Sequence, residues 1–471
     1  MKLNESALHA TLHPEPPLEF ACGRLHLSPK LGLTVFGPRS LDLQDRHPEA
    51  IRLGFVGSGE STASAKAWLA SCSEGVSGDG RYEDFPGFNS DLGYFARLTI
   101  ADSLSQAITS NELRQIAKPR LRRERFEIAL NLVDDKLRLL AERDQPPDCV
   151  VLALPDRLLE HCKVVDFNDP KLGRVHRDFR RAVKSLAMRY RLPTQILLQR
   201  TSEARPNSRT VDHKSRCAWN FFTSLYFKAG GIPWSPHDLT PGTCHVGISF
   251  HRRNTNDDRT FFTSTAQAFD EHGEGLVLRG QDFSWDENRF GRSPHLSKDS
   301  AAELVSLTLS RYHDEMKQTP SRVVIHKTSR FWPEEREGFE DALSSVHAYD
   351  LLALNPVSDI RLIRDGKYPV FRGTHVQLGA QHLFYTTGFI PCLNTYPHGH
   401  VPSPLMVFEH FGDSNVSDLL SEVLTLTKMN WNTASFAGLL PITLRFSRVV
   451  GEIMTEIPSD RTPLPQFKFY V

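Results

Sequence analysis

Cys149-Val150-Val151-Leu152-Ala153-Leu154 is an unbroken apolar run bounded by prolines. A strand that is apolar at every position has both faces covered. That is the environment of a parallel sheet between layers of helices. The flanking pattern agrees. Ile51 to Val56 is a second apolar strand, followed by a helical stretch from Ala63 to Cys72. Arg125 to Arg143 reads as an amphipathic helix, with Phe126, Ala129, Leu130, Leu132, Val133, Leu137 and Leu140 giving a wide apolar face. Phe179 to Tyr190 reads as a helix, Gln195 to Leu198 as a strand, and Cys217 to Phe227 as a helix capped by Gly230-Gly231. Strand, helix, strand, helix predicts a doubly wound α/β unit. Residues 1–45 predict an irregular start with one short strand, Gly32 to Phe36.

A second series starts after Pro233. Strands are expected at His245–Phe250, Leu276–Arg279, Arg322–His326, Tyr349–Asn355, Ile360–Arg364 and Val376–Leu378. Helices are expected at Ala301–Met316, Trp332–Leu343, Val416–Thr427 and Ile442–Met454. The division is therefore an N-terminal segment 1–45, a first domain 46–232 and a second domain 233–471.

Composition excludes several classes. With 39% apolar and 24% charged residues over 471 positions, wholesale disorder is ruled out. Seven scattered cysteines include no CxxC pair, so a disulfide scaffold is ruled out and a reducing, cytoplasmic location is expected. No run approaches the roughly 20 apolar residues of a membrane span. The N-terminal stretch lacks the apolar core of a signal peptide.

Lys plus Arg equals Asp plus Glu, 56 against 56, but the charges are clustered. Arg114 to Arg125 holds six basic residues and one acid, and Lys171 to Arg191 holds eight and one. Two basic runs, with Lys428, Arg445 and Arg448 further on, suggest a groove for a polyanion. Gly54-Phe55-Val56-Gly57-Ser58-Gly59 lies between a strand and a helix. Its spacing is not GxGxxG and no P-loop Lys-Ser/Thr follows, so a tight turn is favoured over nucleotide binding. His398-Gly399-His400 has no third ligand at a recognisable spacing, and Asp286, Glu287 and Arg289 read as loop charges.

Tyr226-Phe227-Lys228-Ala229-Gly230-Gly231-Ile232-Pro233-Trp234 resembles the junction between the MID and PIWI domains of Argonautes. Leu426-Thr427-Lys428-Met429-Asn430-Trp431-Asn432 and Leu440 to Phe446 resemble the C-terminal helices of that family. The resemblance covers about residues 46–471 and is closest to the short prokaryotic members. It implies an α/β chain with a Rossmann-like MID domain followed by an RNase H-like PIWI domain.

The same resemblance implies a pocket for the 5′-phosphate of a guide strand, formed by Arg180, Lys184, Gln195 and Lys228. Arg180 and Lys184, at i and i+4, share one helix face, and cations with an amide suit a terminal phosphate. Magnesium at the phosphate, with the C-terminal carboxylate of Val471 as a ligand, is part of this expectation. His213, Lys214, Lys428 and Arg445 are candidate contacts to a guide or target backbone.

Slicing members hold two metal ions with acidic residues. Here Ser249, Thr328 and Arg448 stand at three of those positions, so no catalysis is expected; Glu274 aligns weakly with the fourth. The implied function is guide-RNA-directed recognition of a complementary DNA target. The implied partner is an APAZ-containing effector, sirtuin-like or next TIR, that consumes NAD in defence against plasmids or phage. Higher-order assembly on activation, a partner surface in the first 45 residues, and no membrane association belong to the same expectation. The alternatives are a guide-directed nuclease of RNase H type and a nucleotide-binding α/β enzyme.

Overall fold

In a computed structural model, described for residues 9–43, 45–169, 173–204, 211–253, 260–270, 272–285, 291, 293–396, 401–457 and 461–471, two sheets share one apolar core. The N-terminal segment contributes β1 (His9–Leu12), β2 (Leu18–Glu19), β3 (Leu25–His26) and helix α1 (Pro29–Phe36). The strand expected at Gly32–Phe36 is thus a helix: Ser28 caps it, Oγ accepting from Leu31 N at 3.4 Å, and Pro29 sits at its first position.

The first unit follows with β4 (Ala50–Gly57), α2 (Gly59–Ser73), β5 (Arg97–Ala107), α3 (Ser110–Ala117), α4 (Arg122–Ala141), β6 (Cys149–Ala153), α5 (Asp156–Cys162), β7 (Val164–Asp169), β8 (Gly173–Asp178), α6 (Phe179–Met188), β9 (Thr194–Ile196), α7 (Gln199–Ser202) and α8 (Lys214–Lys228). Its main sheet has the order β5-β4-β6-β9 and every pairing is parallel. All five residues of β6 are buried, as an all-apolar run requires.

The Gly57 loop is a capped turn. Ser58 Oγ accepts from Ser61 N at 3.1 Å, and Ser61 Oγ accepts from Ser58 N at 3.0 Å. A Cβ on Gly57 would lie 2.2 Å from the Ala153 carbonyl oxygen, so glycine serves packing against β6. Ser58→Ala removes the reciprocal cap and is expected to cost about 1 kcal/mol, read as a lower denaturant midpoint.

The second unit adds β10 (Ser235–Pro236), β11 (Thr243–Arg253), β12 (Thr260–Phe269), β13 (Gly275–Trp285), α9 (Lys298–Met316), β14 (Arg322–Lys327), α10 (Pro333–Leu343), β15 (Ala348–Pro356), β16 (Thr374–Leu378), β17 (Gln381–Phe384), β18 (Leu405–Gly412), α11 (Val416–Leu426), α12 (Ile442–Arg445) and α13 (Ser447–Met454). Its nine strands run β1-β16-β17-β18-β15-β14-β11-β12-β13. β11, β14 and β15 are parallel, and the flanking pairs are antiparallel. β12 was not expected from the sequence. Ile360–Arg364 is irregular rather than a strand, and Ile363 is 89% exposed. The helix expected across Ile442–Met454 breaks at Phe446.

The N-terminal segment is far from irregular. β1 pairs with β16 at the edge of the second sheet, and β2 pairs with β10. Arg39 N and Ser40 N donate to the carbonyls of Pro233 and Ile232 at 3.1 Å. A single apolar cluster runs from Phe55 and Val151 of the first unit to Trp431, Ile453 and Val471 of the second. No helix among the described residues is long and apolar enough to cross a membrane.

Candidate nucleic-acid interface

The end of β9, one face of α6, the end of α8 and the last residues of the chain meet where the two units join. Part of the second basic run is paired with acids here. Arg177 pairs with Glu127 and Glu456 at 2.6 and 2.8 Å, Arg181 with Glu452 at 2.6 Å, and Arg189 with Asp134 at 2.9 Å. No Asp or Glu among the described residues pairs with Arg180 or Lys184. Arg180 is exposed.

Lys184 Nζ donates to the main-chain oxygen of Val471. Lys228 is 2% exposed, and its Nζ donates to Gln195 Oε1. Ser224, one turn before Lys228, donates to the same Gln195 oxygen at 3.1 Å and lies 2.9 Å from Asn432 Oδ1. The structure therefore brings Lys184, Gln195, Lys228 and Val471 together, with Arg180 near enough to act on Lys184 electrostatically. Ser224 and Asn432 were missed from sequence. Their signal is weak: Ser224 precedes Lys228 by four, and Asn432 lies in the C-terminal segment whose resemblance was noted.

The electrostatics are unusual for a protein interior. Burial pushes the Lys228 amine down to about 8. Burial, then the Lys228 charge, hold Lys184 well below its ordinary value; Cys149 opposes this and Arg180 adds to it. Lys468 is also lowered, by burial and then by Arg46. The thiol of Cys149, beside Lys228 and Lys184, is pushed up to about 11 by burial. Buried cations normally have a carboxylate partner, because desolvating an unpaired charge is costly. Lys228 faces an amide instead, and Lys184 meets a main-chain oxygen of the C-terminal residue Val471 rather than an Asp or Glu.

The junction segment shapes this site. Gly230 has φ +102° and ends α8, with Gly230 N and Gly231 N bonded back to Phe227 and Tyr226 carbonyls at 3.0 Å. A Cβ on Gly231 would lie 2.3 Å from the Tyr226 ring. Tyr226 OH in turn meets Ser40 Oγ at 2.9 Å and His47 Nδ1 at 2.8 Å.

Of the candidate backbone contacts, His213 caps α8 and stacks on Tyr82 at 5.2 Å, and exposed Lys214 reaches Ser71 Oγ at 2.5 Å. Arg445 is half-buried, and its Nη1 has no hydrogen-bond partner among the described residues. Lys428 requires a correction. It is fully buried and donates to the carbonyls of Pro16 and Leu27 at 2.6 and 2.7 Å, so its amine holds the N-terminal segment and does not face a ligand.

Ser249 and Thr328 lie at the same end of adjacent parallel strands, since Ile248 pairs with Lys327. Ser249 Oγ is 2.8 Å from Thr265 Oγ1 and 3.1 Å from His251 Nε2. Burial pushes His251 down to about 4. Arg448 is exposed and reaches Glu452 at 3.0 Å. Glu274 pairs with Arg46. Among the described residues no group of three or more His, Cys, Asp or Glu is placed to hold a metal ion. His398, His400, Asp286, Glu287 and Arg289 lie outside the described residues.

No known family model and no curated protein sequence matches the chain. Solved structures do. The Argonaute of Clostridium butyricum, bound to a guide DNA and a 19-mer target DNA, superposes with a TM-score of 0.67 at 15% identity over 98% of this chain and 55% of that one. Aquifex aeolicus Argonaute gives 0.57 at 15% identity over 98% and 55%. Drosophila Piwi gives 0.60 at 11% identity over 98% and 56%. The chain spans about half the length of these proteins. At such identities the likeness is one of architecture: the chain has the α/β fold found in these Argonaute and Piwi structures.

Proposed function

We propose that the chain is a short, non-slicing Argonaute of MID-PIWI type, which anchors the 5′-phosphate of a guide RNA and presents its bases to a complementary DNA target. The observation that carries this is the cation cluster at the junction: buried Lys228 and half-buried Lys184, with no Asp or Glu partner among the described residues. A terminal phosphate carries up to two negative charges and accepts several hydrogen bonds at once, so it supplies what the cluster lacks. Base pairing then reads sequence, while the protein holds backbone shape. A mononucleotide-binding enzyme is disfavoured because the Gly57 loop satisfies its own helix terminus.

Magnesium fits this site only together with the phosphate. Val471 O and Gln195 Oε1 are the oxygen donors facing the cluster, and each already accepts from an ammonium group. The bound phosphate would offset the added charge, and the ion would neutralise its second negative charge.

The reading has no slicing step. Ser249, Thr328 and Arg448 offer no carboxylate, and hard dications need several oxygen ligands. Target recognition is then a signal passed to an APAZ-containing effector, sirtuin-like or TIR, whose NAD consumption stops an invading plasmid or phage. Leu12 on β1 and Leu31 and Val35 on α1 are 54%, 44% and 65% exposed, apolar side chains of the N-terminal segment that such a partner could cover.

Sequencing the nucleic acids that co-purify with the chain tests the anchor; short 5′-phosphorylated RNA is expected, and recovery of no nucleic acid would overturn it. The loaded chain, given a matched target with Mg²⁺ or Mn²⁺, is expected to yield no cut product on a denaturing gel. A guide-dependent cut would establish the nuclease reading instead.

A further inference from the structure

β11 and β14 end at the sheet edge where Ser249 and Thr328 lie. The end of β13 reaches the same edge, because Trp285 pairs with Thr260 and the adjacent Phe261 pairs with Arg253 of β11. Trp332 stands just beyond β14, at the start of α10. Between these two indoles lies His295. Its ring is 3.9 Å from Trp332 at an interplanar angle of 15°, and 4.3 Å from Trp285 at 77°. Trp332 and His295 form a parallel stack, and Trp285 meets His295 edge-on.

Each ring is held. Trp285 is buried, and its Nε1 donates to the Gly291 carbonyl at 2.8 Å. His295 Nδ1 is buried with no hydrogen-bond partner among the described residues, so packing between the indoles sets this ring. Burial, then the Lys327 charge, push His295 down to about 4, which keeps it an uncharged ring at neutral pH. Trp332 is different. His295 covers one face, yet the residue is 38% exposed, so a substantial part of it remains open to solvent.

One half-exposed ring is by itself ordinary; here the ring is held flat by a stacked partner, and its surroundings decide its use. The surroundings favour a nucleobase over a protein side chain. The Arg330 side chain, two residues away, is 69% exposed; it pairs with Glu409 at 3.0 Å and lies over the Phe408 ring at 5.7 Å. Lys327 lies beneath, bonded to the Arg330 carbonyl at 3.2 Å. A preorganised aromatic plane with an exposed guanidinium two residues away in the chain is a combination suited to an unpaired base and its phosphate.

We propose that Trp332, backed by His295 and Trp285, is a stacking platform for one unpaired base of the target strand. This rests on the guide-and-target reading above and adds a subsite to it. No bond is made or broken there. The platform adds affinity and fixes where the target leaves the pairing region.

The test uses the whole chain loaded with a 5′-phosphorylated RNA guide. DNA targets each carrying one abasic position are titrated against wild type, Trp332→Ala and Trp332→Phe. At one position, or two adjacent ones, the abasic penalty is expected to be roughly tenfold larger in wild type than in Trp332→Ala, with Trp332→Phe between them. Equal penalties at every position overturn the platform while leaving guide binding standing. Wild type showing no guide-dependent target binding overturns the proposed function and the platform with it. If Trp332→Ala leaves every target affinity unchanged but alters the sedimentation of the chain, the surface is a protein contact and the base subsite is refuted.

Discussion

Replacing Lys184 and Lys228 together by methionine is expected to lower affinity for a 5′-phosphorylated single strand by roughly 100- to 10,000-fold. A hydrogen bond to a charged group is worth about 1.5–3 kcal/mol, two are lost, and each 1.4 kcal/mol is about a decade. The 5′-hydroxyl version of the same strand is expected to bind both proteins alike. Fluorescence anisotropy with the two strands measures the ratio, and an unchanged preference for phosphate would remove the pocket assignment.

The same lysines make a stability prediction of opposite sign. Burial lowers Lys228 from 10.5 to about 8. In the ligand-free chain the folded state therefore binds fewer protons than the unfolded state between those values. The penalty is full below about pH 8 and disappears as pH rises toward 10.5. At 1.36 kcal/mol per unit it is about 3 kcal/mol at neutral pH. Lys228→Met should thus stabilise the ligand-free chain at pH 7 and much less at pH 10, as measured by denaturant unfolding at both. Phosphate binding reverses the preference, because the anion favours the ammonium form. Discrimination between the two strands is expected to fall as pH rises from 7 to 9. A residue that weakens the empty protein and strengthens the loaded one is the signature of a binding site.

Legibility in the sequence followed how local each determinant is. β4 and β6 could be read because runs such as Val150-Val151-Leu152 carry their burial in their own composition. β12 could not: Thr260 to Phe269 mixes threonines with apolar residues, and its place is set by ladders to β11 and β13. Ile360 to Arg364 is rich in branched apolar residues like a strand, yet it pairs with no strand among the described residues. Gly32 to Phe36 misled through Thr34 and Val35, whose β-branching argues for strand, while Ser28-Pro29 supplied the helix start. In the candidate site, the i, i+4 spacing of Arg180 and Lys184 was visible because one helix holds both. Val471 lies 287 positions from the lysine it meets, and Asn432 lies 208 from Ser224, separations no local pattern encodes.

The largest expected loss of stability lies at Glu15. Its carboxylate meets Arg372 Nε at 2.8 Å and Lys428 Nζ at 3.1 Å, and both basic side chains are fully buried. Burial disfavours the charged carboxyl, but Arg372 and then Lys428 outweigh it and hold Glu15 below its usual value. Arg372 further donates to the Leu424 carbonyl at 3.1 Å and to Thr427 Oγ1 at 3.0 Å. Glu15→Ala leaves two buried cations without a counter-charge, a loss expected to cost about 3–5 kcal/mol. Chemical denaturation of the purified chain measures it, and a cost under about 1 kcal/mol would show that the triad does not hold the segment. Adding Lys428→Met is expected to recover part of the loss, since one orphaned charge goes with it, and that non-additivity separates coupling from mere cavity formation. The triad fastens the N-terminal segment to the end of α11, and Trp234 Nε1 bonds the Lys428 carbonyl at 3.1 Å. Residues that open the chain are thereby tied to the junction that closes the phosphate pocket, so Glu15→Ala should also weaken guide binding through the fold, lowering affinity for the 5′-phosphate and 5′-hydroxyl strands together and leaving their ratio unchanged.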